Sequence, residues 1–540
     1  RCLFPNDERM LRALEAKSNC ETVPGAREML CETVLRLKMN MLEVGALHKF
    51  PNGGEDNNAL ARARECRRRG IAVTNHHHFA LGAGLRYWRD YWREIHNKDV
   101  PPLTMESLKL EDLATFYRDH IRWIREEDLE MLWGIGFRGT GDRPWYTSVE
   151  NPPETDVERA TFMRTMMEFQ IDLLRKEMGA NAEMRTQLYD EGASFFASGA
   201  LRPPDDPKLI WSFSDTPFSH YPNHDIAGYA PSHDQPIGYY FHGQFTSTGA
   251  HLVQGEGPWK LETNMRFVDD RSSRPVEFWV INAGNVREFA LEISTNASLL
   301  YGLPQTTADT IVRDFCAEYL GPQFALEIAS LYRDYYLAFF EARRPDRPEW
   351  PRQAIFTDLR LMRAIEQLIE HLPEGYTPWP LTDPSGDARY FQIDPGYMGV
   401  ETQLQALVTG VGASLARFEA LESRCAALWK AFSSSPNTRG HRFFREGVWG
   451  QIRYMRGATG TLYYLCRAME ARPRDDARSQ LPEILELLHA ARRNFTEAIN
   501  ALEEGNTGAF AGWTEPEGFQ LTGNFSKLEA MIEELSRRVY

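Results

Sequence analysis

Apolar positions in the first three hundred residues alternate between short solid runs and longer helical stripes, and beyond about residue 303 only the stripes remain. The runs lie at residues 2–5, 41–46, 71–74, 132–137, 209–213, 238–245 and 277–281. Each reads as a strand buried on both faces, because such a strand carries apolar side chains without strict alternation. Helical spacing fills the gaps, with Met29, Leu30, Val34, Leu37 and Met41 marking the first helix. Residues 57–69 carry a basic face stopped by Gly70, and residues 85–95, 108–124 and 156–178 follow, the last with Asp156 as the expected N-cap and Gly179 as its stop. Seven or eight strand tips separated by helices suit an α/β fold closed as a (β/α)8 TIM-like barrel over residues 1–303 better than an open sheet. Residues 304–540 then predict an all-α helical domain, with stripes at 307–319, 324–343, 356–371, 400–432, 444–469, 482–504 and 525–539.

Composition narrows the partners. A chain of 540 residues can bury more than one core. A net charge of −15 with no long Lys/Arg run argues against nucleic acid, since nothing offsets the acidity along one face. No apolar stretch approaches the roughly 20 residues that span a bilayer, and the first residues lack the basic flank and apolar core of a secretory signal. The seven cysteines, Cys2, Cys20, Cys31, Cys66, Cys316, Cys425 and Cys466, are scattered without CxxC spacing, which predicts buried thiols and no disulfide framework.

In a parallel barrel the strand tips carry the chemistry. Here they place Asn6, Asp7 and Glu8 after the first run, Asn75, His76 and His77 after the third, and Arg138 after the fourth. Tyr240 and His242 end another, and Asn282 and Asn285 the last. All are candidates for hydrogen bonding to a polar ligand in one cavity at the C-terminal rim. The triplet His76-His77-His78 suggests a metal, yet strand alternation puts His77 on the face opposite His76 and His78, and no HxxxH motif or spaced carboxylate accompanies it. No metal and no cofactor are therefore expected. The loop 138–145 offers the guanidiniums of Arg138 and Arg143 for a carboxylate and the indole of Trp145 for stacking on a sugar ring, a combination suited to an acidic sugar. The plainer alternative is a structural turn whose arginines pair with protein carboxylates such as Asp142 or Glu150. Asp215 follows a strand between Phe213 and Phe218, where desolvation would raise its pKa as a general acid requires; a turn or N-cap aspartate is the alternative. His242 on its aromatic strand reads equally as a packed core histidine.

These tips, in this order, resemble the glycoside hydrolase family 115 α-glucuronidases, which remove (4-O-methyl)glucuronic acid from xylan. The likeness runs through Phe4-Pro5-Asn6-Asp7-Glu8, Thr74-Asn75-His76-His77, Trp88 and Trp92, Phe116-Tyr117-Arg118-Asp119 and Gly136-Phe137-Arg138-Gly139-Thr140-Gly141-Asp142. It continues through Pro204-Asp205-Asp206, Tyr240-Phe241-His242 and Trp279-Val280-Ile281-Asn282-Ala283-Gly284-Asn285. The resemblance implies a barrel followed by helices, a secreted or periplasmic setting, and a carbohydrate substrate. It implies an inverting acid/base hydrolase that removes a terminal uronic sugar from a polysaccharide such as glucuronoxylan, with Asp215 and Asp142 as the acid and base; a homodimer through the helical domain is an expected assembly. Family members also carry a domain before the barrel and often a β-domain at the end, and neither is legible in this sequence. Several family acids are replaced: His78 stands where the pattern has Glu, Arg143 where it has an acid, and Asn285 where it has Asp. A carbohydrate-binding barrel without hydrolysis, or a glycosidase of changed specificity, is thus the alternative, followed by a metal-dependent hydrolase using His76 and His78.

Overall fold

The computed structural model describes residues 1–5, 25–49, 57–100, 103–106, 108, 110–214, 224–230, 234–243, 252–342, 353–354, 358–372, 400–471, 480–514 and 521–539. Its eight parallel strands are β1 (Cys2–Phe4), β2 (Met41–Val44), β3 (Ala72–Asn75), β4 (Met131–Ile135), β5 (Met184–Gln187), β6 (Leu209–Ser214), β7 (Ile237–His242) and β8 (Phe278–Asn282). They close in chain order into a barrel, with β1 paired to β8 through Cys2↔Val280 and Phe4↔Asn282. Seven of these match the apolar runs. The eighth, β5, reads Met184-Arg185-Thr186-Gln187, and its polar residues face a polar barrel interior, so no apolar run announces it. The long helix Asp156–Met178 is as expected in extent, but its cap is Thr155, whose hydroxyl accepts from the Glu158 amide while Glu158 reaches back, so Asp156 already lies inside the first turn.

The barrel interior has an apolar plug and a polar layer. Cys2, Phe4, Leu132, Tyr240, Phe278 and Val280 pack into one buried cluster. Gly238 makes room for it: a Cβ there would come within 2.9 Å of the Phe278 carbonyl oxygen, closer than real atoms approach. Beside Phe278, whose ring lies 4.9 Å from its guanidinium, Arg185 crosses the interior from β5 to β2 and donates to Glu43 Oε2 at 2.6 Å. It also donates to Thr74 Oγ1 at 3.0 Å, the Asn75 carbonyl at 2.7 Å and Gln187 Oε1 at 2.9 Å, so nearly all the donors of this buried side chain are satisfied by the protein.

The chain divides into two compact units, one holding Arg1–Pro5, Pro24–His242 and Leu261–Ala283, the other holding Gly243–Lys260 and Gly284–Tyr540. The second unit is built on helices. Val400–Phe432 has the bounds its stripe predicts, and Gly450–Glu470 packs against it and against Leu481–Gly505. The single helix expected over 444–469 is instead a short helix Thr438–Phe443, a wider π turn at Phe444–Trp449, and then Gly450–Glu470. Two-residue strands, Glu341–Ala342 and Gln353–Ala354, pair antiparallel within this unit. One carboxyl in it is fully enclosed: Glu292 accepts from the Tyr336 hydroxyl and from Gln254 Nε2 at 3.4 Å, and burial pushes it up to about 7. Among the described residues no helix is long and apolar enough to cross a membrane.

Candidate functional site

The C-terminal tips of the strands bring six rings into a closed circuit around the barrel mouth. Phe4 lies 4.8 Å from His76, His76 3.9 Å from His77, and His77 4.7 Å from Tyr189, measured between ring centres. Tyr189 lies 6.2 Å from His242, His242 4.7 Å from Tyr240, and Tyr240 6.3 Å from Phe4, which closes the loop. Asn282 stands between Phe4 and His242 in the strand register and is buried. Asn75 ties the β3 tip to the loop after β2 by donating to the Gly45 carbonyl at 2.8 Å. The Tyr240 hydroxyl, buried and without a hydrogen-bond partner, has its ionisation pushed well up by burial.

Beside the circuit sits a charge cluster centred on Arg138. Its Nε donates to Asp142 Oδ1 at 2.9 Å and its remaining nitrogens to Asp190 Oδ2 at 3.0 Å, to the Asp142 carbonyl at 2.6 Å and to Glu191. Its guanidinium also lies 5.2 Å from the centre of the Tyr189 ring. The loop that carries it is pinned from outside: the Gln170 amide of helix Asp156–Met178 accepts from the Gly136 N–H at 2.8 Å and donates to the Gly136 carbonyl at 2.7 Å. Gly139 is demanded by the tightness of the turn, since a Cβ would come within 2.5 Å of Ser148 Oγ and 2.8 Å of the Pro144 carbonyl. Asp142 and Asp190 both hold positive φ, 57° and 49°, conformations that cost energy for residues with a Cβ and that gather at functional sites.

The histidines lie against the same carboxylate. His77 Nε2 is 2.8 Å from Asp142 Oδ1 and His78 Nδ1 is 3.7 Å from it, while His76 Nε2 is 4.0 Å from Glu43 Oε1. Burial drives His77 down to about 4 against the pull of Asp142, and drives His76 well below its usual value. Burial alone would raise Asp142, but the histidines that bond it outweigh that and hold its carboxyl well below the usual range. Burial pushes Glu43 up to about 7 although Arg185 draws it down. The rim thus contains an ionised carboxylate, neutral imidazoles and, beneath them, a carboxyl poised near neutrality.

Of the residues expected at the site, Asn75, His76, His77, Arg138, Asp142, Tyr240, His242 and Asn282 meet at this rim. Three do not. Trp145 is fully buried between Phe137 and Phe162, ring centres 5.8 and 4.7 Å away, so its indole packs the loop and presents no face to a sugar. Arg143 is exposed rather than lining the cavity. Asn285 is a local cap, its Oδ1 accepting from the Arg287 and Glu288 amides at 3.0 Å, in the other unit. Asn6, Asp7, Glu8 and Asp215 lie outside the described residues. The argument that split the histidine triplet also fails: β3 ends at Asn75 and residues 76–78 form a turn, so all three rings lie together, with centres 3.9 to 5.7 Å apart. Sequence reasoning missed Glu43, Arg185, Gln187, Tyr189, Asp190 and Glu191. The signal available was the pair Asp190-Glu191 at the end of a short alternating segment before a helix, which is how a strand tip on a polar-cored barrel reads.

The sequence profile of glycosyl hydrolase family 115 matches residues 1–346. No curated protein matches the chain. Among solved structures, a family 115 4-O-methyl-α-glucuronidase with specificity for decorated arabinogalactans aligns over 98% of this chain and 61% of its own, with TM-score 0.61 and 13% identity. A family 89 glycoside hydrolase from Clostridium perfringens in complex with PUGNAc covers 100% and 63% at TM-score 0.55 and 10% identity. A family 138 enzyme targeting pectin rhamnogalacturonan II covers 95% and 78% at TM-score 0.50 and 10% identity. At these identities the likeness is one of fold, and the chain spans about three fifths of the length of the first two.

Proposed function

The chain belongs to glycosyl hydrolase family 115, and on that premise we propose that it cleaves the glycosidic bond of a terminal uronic sugar at the barrel rim, by inversion. The observation that carries this reading is Asp142, an ionised carboxylate held by His77 and Arg138 at the mouth of the barrel. A carboxylate kept charged suits the base that activates water, or the charge that stabilises an oxocarbenium-like transition state, and not the proton donor. Asp215 is our candidate for that donor, and the histidines, Asn75, Tyr240, His242 and Asn282 supply hydrogen bonds and apolar ring faces to the sugar. Arg138 is already engaged by Asp142, Asp190 and Glu191 and Arg143 is exposed, so recognition of the sugar falls to the hydrogen-bonding groups of the rim rather than to a free guanidinium.

Release of uronic acid from glucuronoxylan, decorated arabinogalactan and their oligosaccharides, followed by NMR of the first-formed anomer, tests the proposal. Asp142→Asn should lower turnover by about a hundredfold or more even at temperatures well below its own melting point, where the folded protein is fully populated. No release from any of these substrates, with sugar binding intact by calorimetry, would establish the alternative of a binding barrel. The exposed apolar side chains of Tyr319, Leu326 and Leu337 support self-association through the helical unit, which light scattering reads directly.

A further inference from the structure

We propose that the turn His76-His77-His78, closed by the carboxylate of Asp142, is a binding site for one divalent transition-metal ion, zinc being the natural probe. Each histidine offers a ring nitrogen, and these three atoms lie within 4.8 Å of one another. Asp142 Oδ1 is 2.8 Å from His77 Nε2 and 3.7 Å from His78 Nδ1, which places an oxygen donor beside two of the three histidines. Four ligands at zinc bond lengths of about 2.0–2.1 Å stand roughly 3.3 Å apart in a tetrahedron, so modest side-chain rotations close the cluster. His76 Nδ1 is buried and makes no hydrogen bond, and His78 Nδ1, also buried, has Asp142 Oδ1 beside it only at 3.7 Å. A buried imidazole nitrogen so poorly satisfied is costly, and a metal is one group that removes the cost for both at once.

The surroundings fit as well. His76 Nε2 lies 4.0 Å from Glu43 Oε1, itself without a hydrogen bond, so the ring that offers Nδ1 to an ion presents its other nitrogen to a carboxylate. That carboxylate–imidazole–metal order is how metal-binding histidines are held. Arg138 orients Asp142 from the far side through Nε at 2.9 Å. Asp142, Asp190 and Glu191 outnumber the one arginine they share, which leaves the rim short of positive charge. Imidazole with carboxylate selects zinc, cobalt or nickel over calcium or magnesium, which prefer oxygen alone.

The full chain, stripped with chelator and desalted, is titrated with zinc chloride by calorimetry and with cobalt by visible absorption. The expected result is one ion per chain, a tetrahedral cobalt spectrum, and about tenfold or greater weakening in each of His76→Ala, His78→Ala and Asp142→Asn. Absence of binding, or an affinity unchanged in His78→Ala, would overturn the site and mark any bound ion as adventitious. His78 is the safer variant, its ring being 24% exposed, and it decides the matter if His76→Ala fails to fold. The readout uses the ion alone, so the site stands or falls independently of sugar hydrolysis.

Discussion

Arg185 and Arg138 are both buried in the same barrel, yet one balances its surroundings and the other does not. In the interior, Arg185 meets a single carboxylate, Glu43, and spends its other donors on Thr74, Gln187 and a backbone carbonyl. At the rim, Arg138 is shared by Asp142, Asp190 and Glu191. One acid per base holds a fold together. Three acids per base leave charge over, and surplus carboxylate at a mouth is what proton transfer, transition-state stabilisation or a cation can use. Glu292, in the helical unit, is a third case, a buried acid whose hydrogen bonds come from the neutral groups Tyr336 and Gln254.

If the interior pair is balanced, breaking it should hurt most. Arg185→Met strands Glu43 and should lower the unfolding free energy by about 3–5 kcal/mol in urea titrations, and adding Glu43→Leu should recover much of that. A double variant whose loss equals the sum of the losses in Arg185→Met and Glu43→Leu alone would show that the two residues are not coupled.

Glu292 sharpens the contrast through pH. Its folded value of about 7 lies above the ordinary 4.5, so its contribution is fully present below pH 4.5 and is lost as pH rises through 7. A shift of that size corresponds to on the order of 3 kcal/mol. Thermal melts of the wild type between pH 4.5 and 7.5 should show this decline, to which Glu43, also pushed up to about 7, contributes, so Glu292→Gln should remove about half of the slope. A variant that keeps the full slope would place the titrating group elsewhere.

The rim predictions are smaller. Arg138→Met should cost about 2 kcal/mol at neutral pH, because hydrogen bonds to charged groups are lost and three acids face one another. The loss should shrink in acid, where those acids take up protons; a cost as large as that of Arg185→Met would erase the distinction drawn above. Asp190→Gly should change stability least, with a gain of about 1 kcal/mol, since φ 49° and ψ −110° suit glycine and the ion pair it removes is half exposed. A clear loss in denaturant would mean that the Asp190 carboxylate matters more to Arg138 than its exposure suggests.

Much of the barrel was legible because seven strands are apolar enough to stand out, and the helix Val400–Phe432 was legible to the residue because nothing interrupts its stripe. β5 was hidden by the same property that makes it useful, the inward-facing Arg185 and Gln187. The site was readable where one strand tip carries it, as at His77 or Arg138, and not where partners come from distant tips. His77 and Asp142 are 65 residues apart, and Arg185 and Glu43 are 142 apart. The histidine triplet was misjudged by carrying the two-residue strand period past Asn75 into a turn. Trp145 shows the converse, an aromatic residue in a promising loop whose partners Phe137 and Phe162 give it a packing role.

The cluster of Cys2, Phe4, Leu132, Tyr240, Phe278 and Val280, with the Arg185–Glu43 pair beside it, packs the barrel interior. Under the proposed reaction, a monosaccharide released at the rim would leave the way it came and stand in the path of the next chain end until it diffuses away, which would make the small product a competitor for the entrance.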